Sequence, residues 1–114
     1  MSDDRVIYQG DNHTEVATLD DGATPPQPVD DPGAIYRLTV KYSPDDADNQ
    51  AIALVTASQS APGLAYLSLF PADLASVSAP AVLAWNVEVT ESGGWNTTLA
   101  SGKLTVLPSV YIGP

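Results

Sequence analysis

The stretch Ala34-Ile35-Tyr36-Arg37-Leu38-Thr39-Val40-Lys41-Tyr42 decides the fold of this chain. Every even position from 34 to 42 is apolar, and two cations, Arg37 and Lys41, lie at odd positions. Because successive side chains of a strand point to opposite faces, this alternation predicts a strand that is buried on one face. Helical spacing would bring the two cations into the apolar stripe. The stretch therefore predicts a sheet protein.

The same alternation recurs along the chain. It is clear at residues 82–90 and weaker at residues 5–9, 13–19, 51–57, 64–70 and 95–107. The turn Glu91-Ser92-Gly93-Gly94 joins the last two strands, since Gly-Gly supplies the positive φ angles of a hairpin turn. In the last strand the apolar positions change from odd (Leu99) to even (Leu104), which predicts a β-bulge at Ser101-Gly102.

Aspartate and proline mark the connections. Asp20-Asp21-Gly22 predicts a turn, residues 24–28 predict extended polyproline-like chain, and residues 71–76 predict a short helical turn with Pro71 at its first position. We expect an all-β, immunoglobulin-like β-sandwich of about seven antiparallel strands with one short helical turn. It forms a single domain, residues 1–114, with a core at about residues 5–108 and a C-terminal tail at residues 109–114. The expected core residues are Leu38, Val40, Leu67, Trp85, Val87, Leu104 and Val106.

Charge limits the partners. The 114 residues include 14 Asp and Glu but only four Lys and Arg, which gives a formal net charge of −10. Nucleic acid and anionic membrane surfaces repel such a chain, and no apolar run is long enough to span a bilayer. Identical copies also repel one another, so we expect weak self-association in isolation. The acidic start, residues 1–4, lacks the apolar run of a signal peptide, and we expect synthesis in the cytoplasm.

No catalytic, cofactor or metal site is predicted. The absence of cysteine excludes thiolate chemistry, and His13 is interpreted as a solvated strand residue because no nucleophile elbow accompanies it. The adjacent carboxylates at residues 20–21 and 30–31 are interpreted as turn residues. Asp45, Asp46, Asp48 and Asn49 are interpreted as a solvated loop, with calcium binding as the alternative, although the EF-hand register is missing.

Candidate interface residues are aromatic, aliphatic or proline. Trp85 is expected in the core, whereas Trp95, beside the Gly-Gly turn, is either a cap over the sandwich end or an exposed anchor. The proline-rich segment gains little from its own core and is expected to dock on a neighbour. The tail carries apolar residues with no evident core position. The predicted interface residues are Trp95, Tyr111, Ile112, Pro25, Pro26 and Pro28.

The order of these segments resembles the small immunoglobulin-like domains of tailed-bacteriophage virions, typified by the N-terminal domain of the baseplate upper protein. The resemblance rests on order and spacing, and it spans nearly all of residues 5–110. The stretches that carry it are residues 7–11 (IYQGD), 28–40 (PVDDPGAIYRLTV), 67–74 (LSLFPADL), 85–90 (WNVEVT) and 99–108 (LASGKLTVLP). Residues 78–81 (SAPA) depart from the family pattern because they lack a glycine.

The resemblance implies a structural virion protein without enzymatic activity. Such a protein would be an adaptor or docking subunit of the baseplate, tail fibre or neck, located in the virion and bound to other virion structural proteins in symmetry-repeated copies. The alternatives are a small head decoration (cement) protein and a carbohydrate- or surface-binding module in which Trp95 and Tyr111 stack on sugar. No residue constellation supports a hydrolase.

Overall fold

The computed structural model describes residues 3–108, which fold as an all-β sandwich, as expected. The strands in that part of the chain are β1 (Arg5–Tyr8), β2 (His13–Thr18), β3 (Ile35–Lys41), β4 (Ala53–Ser58), β5 (Leu64–Leu69), β6 (Ala81–Thr90) and β7 (Asn96–Leu107). The predicted helical turn is confirmed as a 3-10 turn at Pro71–Leu74. A second 3-10 turn, Asp48–Gln50, was not expected from the sequence.

The strands form a five-stranded sheet in the order β1-β7-β6-β3-β4 and a two-stranded sheet in the order β2-β5. Pairing is antiparallel except that β1 runs parallel to β7, with Arg5 beside Leu104. The expectation of antiparallel strands is therefore corrected at this pair. The two strands come from opposite ends of the chain, so no hairpin fixes their direction and side-chain alternation carries no information about it.

The core lies between the two sheets and contains all seven predicted core residues. Tyr42 departs from the alternation of residues 34–42: its side chain is exposed, not buried. The reason is that β3 ends at Lys41, and Ser43 begins a turn in which its backbone N–H donates to Asp46 Oδ2. The alternation continues past the end of the strand by chance.

The predicted bulge exists, but at a different residue. Val87 of β6 pairs with Ala100 and Glu88 pairs with Thr98, so Leu99 is the extra residue, not Ser101 or Gly102. The change of apolar positions from odd (Leu99) to even (Leu104) indicates a shift near these residues but does not specify the residue at which it occurs. Side chains at positions 95–98 are exposed, so the odd positions before Leu99 never faced the core.

Gly102 allows the N-terminal segment to approach β7. It lies opposite Trp85, and a Cβ at this position would collide with the backbone of Asp3. Asp3 donates its N–H to the Ser101 carbonyl at 2.6 Å and accepts the Trp85 indole N–H at 3.0 Å. The absence of a side chain at Gly102 therefore allows the contact that starts the parallel pairing of β1 with β7.

Trp85 connects the core to both sheets. The Arg5 guanidinium carbon lies 5.0 Å from the centre of the indole, within cation–π range. Arg5 Nε also donates to both carboxylate oxygens of Glu15 on β2, at 3.2 Å each. Trp85 and Arg5 belong to the five-stranded sheet and Glu15 to the other, so this contact joins the two sheets.

We expect the substitution Trp85→Ala to destabilise the protein by about 3–5 kcal/mol, because it leaves a large cavity and removes the platform under Arg5. The measurement is urea unfolding followed by circular dichroism. Trp95→Ala is the matched control, since the same substitution at an exposed tryptophan should change stability by less than about 0.5 kcal/mol. Equal stability of the two variants would contradict the placement of Trp85 in the core.

Candidate functional site: the loop end and the outer face

Three connections meet at one end of the sandwich, which we call the loop end: residues 20–33, 59–63 and 91–95. Asp31 Oδ2 accepts the backbone N–H of Ser92 at 2.9 Å, which ties the first connection to the third. The Gln59 side chain ties the first to the second: it accepts the Asp31 N–H at 2.9 Å and donates to Asp30 Oδ1 at 2.7 Å. Side chains thereby fix the three connections relative to one another.

The proline-rich segment is a closed loop, so the expectation of extended polyproline-like chain is wrong. The Asp21 N–H donates to the Gln27 carbonyl at 3.0 Å, and the Val29 N–H donates to the Leu19 carbonyl at 3.0 Å. Asp21 Oδ1 accepts the N–H groups of Ala23 and Gln27 at 2.9 and 3.1 Å. These hydrogen bonds satisfy backbone groups inside the loop, which an extended segment would leave to water.

Glycine closes the base of this loop. Gly63 has a φ of +67°, and a Cβ there would collide with the Leu19 carbonyl and with Pro28. The loop therefore packs directly on the second connection. Pro25, Pro26 and Pro28 remain exposed around it, as a docking role requires.

Trp95 lies at the loop end with 75% of its surface exposed, more than any other large hydrophobic residue among those described. It does not cap the sandwich, and the structure therefore favours the alternative of an exposed side chain. Its carbonyl accepts the Glu91 N–H at 2.8 Å, so the hairpin backbone holds the residue in place. The structure thus brings Trp95 and the three prolines to the same end of the molecule. Tyr111 and Ile112 lie outside the described residues.

The loop end is acidic. Its carboxylates are those of Asp20, Asp21, Asp30, Asp31 and Glu91, and its sequence contains no Lys or Arg. The Ser92 backbone N–H, followed by the Ser92 hydroxyl and the Gly33 N–H, holds the pKa of Asp31 below its ordinary value. N–H groups of Ala23 and Gln27 likewise lower the pKa of Asp21. These groups are therefore charged at neutral pH, and the end presents a negative surface around Trp95.

His13 is placed differently from the sequence interpretation. Its side chain is only 22% exposed, and its Nε2 lies 2.7 Å from Glu15 Oε2. Glu15 is itself buried and also accepts from Arg5, so His13 belongs to the contact between the sheets and is not a solvated strand residue. The sequence interpretation missed this because it assigned no side to Glu15, which β2 directs inward, as it does Ala17.

The loop at residues 45–49 holds a cation of the protein itself. Lys41 Nζ donates to the Asp46 carbonyl and to Asp48 Oδ1, both at 2.8 Å, and it lowers the pKa of Asp48. Residues 3–108 contain no group of three or more His, Cys, Asp or Glu side chains that could hold a metal ion. Within the same residues, no helix is long and apolar enough to cross a membrane.

The second surface is the solvent-facing side of the five-stranded sheet, which we call the outer face. Arg37, Lys41 and Lys103 lie on it, so it holds three of the chain's four Lys and Arg residues. The register places Arg37 beside Glu88, and Lys41 and Lys103 on either side of Ala84. A groove of about 440 Å³ crosses this face and is lined by Lys41, Tyr42, Val82, Ala84 and Lys103, among others. The alternation of the predicted strands indicates which cations face outward. Which of these cations lie beside one another is known only once the order of the strands is known.

No protein-family model matches the chain, and no curated protein sequence matches it.

We expect the substitution Asp31→Ala to loosen the loop end, because it removes both acceptors that hold Ser92 and Gly33. Since folding lowers the pKa of Asp31, its stabilisation is present above the ordinary pKa of 3.8 and is lost as the pH falls through the lowered pKa. The variant should therefore be less stable than the parent at neutral pH, and the difference should shrink in acid.

The measurements are urea unfolding at pH values from neutral to acid and amide hydrogen exchange at Ser92. Asp45→Ala is the control, because the Asp45 carboxylate accepts no hydrogen bond among the described residues. A stability difference for Asp31→Ala that is the same at neutral and acid pH would contradict the role of the charged carboxylate.

Proposed function

We propose that the chain is a structural protein of a tailed-bacteriophage virion, which acts as an adaptor or docking subunit and not as an enzyme. Its partners are other virion structural proteins of the baseplate, tail fibre or neck, and its location is the virion. Two kinds of observation support the proposal. The order of sequence segments resembles small immunoglobulin-like virion domains, and the all-β sandwich is the fold that this resemblance implies.

The observation that carries the proposal is the construction of the loop end. Trp95 is 75% exposed on a hairpin whose turn residue Ser92 is tied to Asp31. Tryptophan is among the residues that contribute most to protein interfaces. Loops already held by hydrogen bonds lose less conformational freedom on binding than free loops do, and this favours affinity. An exposed tryptophan on a fixed framework is therefore suited to protein docking.

The charge of the loop end defines the chemistry of the partner. With five carboxylates and no Lys or Arg, this end favours a partner surface that combines basic residues with an apolar pocket for Trp95. Such complementarity accelerates the encounter and excludes acidic surfaces. It also excludes nucleic acid and anionic membranes as partners of this end.

The test is co-expression of the chain with the head and tail structural proteins encoded beside its gene, with complexes measured by size-exclusion chromatography and light scattering. We expect a hetero-complex that Trp95→Ala weakens by at least about 2 kcal/mol, which is about 30-fold in affinity. Phe70→Ala is the matched control, because Phe70 is an aromatic residue that is 55% exposed and follows the opposite end of β5.

A complex that resists Trp95→Ala, or is lost equally with Phe70→Ala, would contradict docking through the loop end. Failure to bind any of the neighbouring structural proteins would contradict the virion role itself. Binding to assembled heads alone would identify the chain as a head decoration protein.

A carbohydrate- or surface-binding module is the second candidate, and the exposure of Trp95 favours it. An indole face is a suitable platform for the apolar face of a sugar, and the surrounding carboxylates and amides are hydrogen-bond acceptors. Glycan binding by the isolated chain, lost with Trp95→Ala, would favour this candidate over the structural role.

A further inference from the structure

The outer face carries exposed apolar side chains together with charges of both signs, and this combination sets it apart from the rest of the described surface. Ten large hydrophobic residues are exposed among the described residues, and five of them lie on outward positions of this sheet. These five are Val6, Tyr8, Ile35, Leu54 and Val82. Exposed apolar side chains concentrated on one sheet face are typical of a contact surface.

The register brings three of these apolar residues to one corner of the sheet. Val6 and Val82 both pair with Thr105, from β1 on one side and from β6 on the other. Tyr8 follows on the same side of β1, two positions after Val6. The groove between Val82 and Lys103 lies next to this row, and the small side chain of Ala84 leaves room for an apolar group from outside.

The charges of the outer face are nearly balanced. Its three cations are accompanied by the carboxylate of Glu88 and by that of Asp48, which is bound to Lys41 at its edge. The chain as a whole carries a net charge of −10, so its excess of carboxylates lies elsewhere. Two copies that meet through the loop end bring carboxylates against carboxylates. On the outer face both signs are present.

We propose that the outer face binds the outer face of a second copy of this chain across a two-fold axis. Such an interface is self-complementary: each copy presents cations to the carboxylates of the other, and the exposed apolar residues at the margins of both sheets are covered. A strongly acidic foreign partner would meet Glu88 and Asp48 without compensation, and a basic one would meet Arg37, Lys41 and Lys103. A second copy is the partner that satisfies both signs.

The area of the sheet predicts how strong this contact is. Five strands about 4.8 Å apart, which range from 4 to 12 residues and average about 25 Å in length, offer roughly 500 Å² per copy. The total of about 1,000 Å² lies at the lower limit of specific interfaces. The dimer is therefore weak, in agreement with the weak self-association expected from the net charge. Salt screens both the repulsion between two acidic copies and the few attractive charge pairs in the contact. Because each copy carries a net charge of −10, the repulsion is the larger of the two, so the dimer strengthens as salt increases.

The experiment is sedimentation equilibrium of the purified chain over a range of protein and salt concentrations. We expect reversible dimerisation whose affinity rises at least about threefold from low to high salt. Val82→Glu should weaken the dimer at least about tenfold, because it places a carboxylate in the contact. Val16→Glu is the matched control: Val16 and Val82 are strand residues on opposite sheets and are 57% and 60% exposed.

Monomers at every salt and protein concentration would overturn the proposal, and so would a dimer that Val16→Glu weakens as much as Val82→Glu. A complex in which a different protein, and not a second copy, covers the outer face would also overturn the proposal. The loop end lies outside this contact, so Trp95→Ala leaves the dimer unchanged. The dimer and the virion-docking role can therefore succeed or fail separately.

Discussion

The structure depends on the environment of Trp85. The indole is part of the core, its N–H reaches the Asp3 carbonyl, and its face supports the Arg5 guanidinium. Arg5 in turn holds the carboxylate of Glu15, the one buried acidic side chain among the described residues. A buried carboxylate without a partner is costly, so Glu15 can face the core only because Arg5 and His13 pair with it. Trp85 thus aligns the N-terminal strand and, through Arg5, joins the two sheets.

Local patterns in the sequence predicted much of the fold for a physical reason. In a sandwich every strand buries one face, and the alternation of residues 34–41 and 82–90 records which face that is. Turn chemistry identified the Asp20-Asp21-Gly22 turn, in which Gly22 has a φ of +72°. The features that were missed depend on residues far apart in the chain. The parallel pairing of β1 with β7, the pairing of Glu15 with Arg5 and the closure of the proline-rich loop have no local signature.

The sequence predicted individual residues of the loop end but not how they are arranged in space. Trp95 and the prolines could be named from residue type and position, but sequence left open whether Trp95 is a cap or an exposed residue. It could not reveal that Asp31 and Gln59 bring the hairpin and the proline-rich loop together. The outer face illustrates the same limit. Arg37 and Lys41 were expected on one side of β3, whereas Lys103 joins them only through the order of the strands.

The two surfaces differ in chemistry and therefore suit different neighbours. The loop end is acidic and carries an exposed tryptophan, whereas the outer face carries exposed apolar side chains and nearly balanced charges of both signs. The dimer that we propose uses the surface on which both signs of charge are present, and the docking role that we propose uses the acidic surface, which attracts a basic partner. Under these two proposals, one subunit contacts its own copies through one surface and a foreign protein through the other.

Hydroxyl-radical footprinting of intact phage particles reports both whether the chain is part of the particle and which of its surfaces is covered there. We expect the chain to be present in the particles and the oxidation of Trp95 to be strongly suppressed there relative to the isolated protein. Phe70, at the opposite end of the sandwich, provides the internal reference. Absence of the chain from the particles, or equal oxidation of Trp95 in particle and isolated protein, would contradict the account.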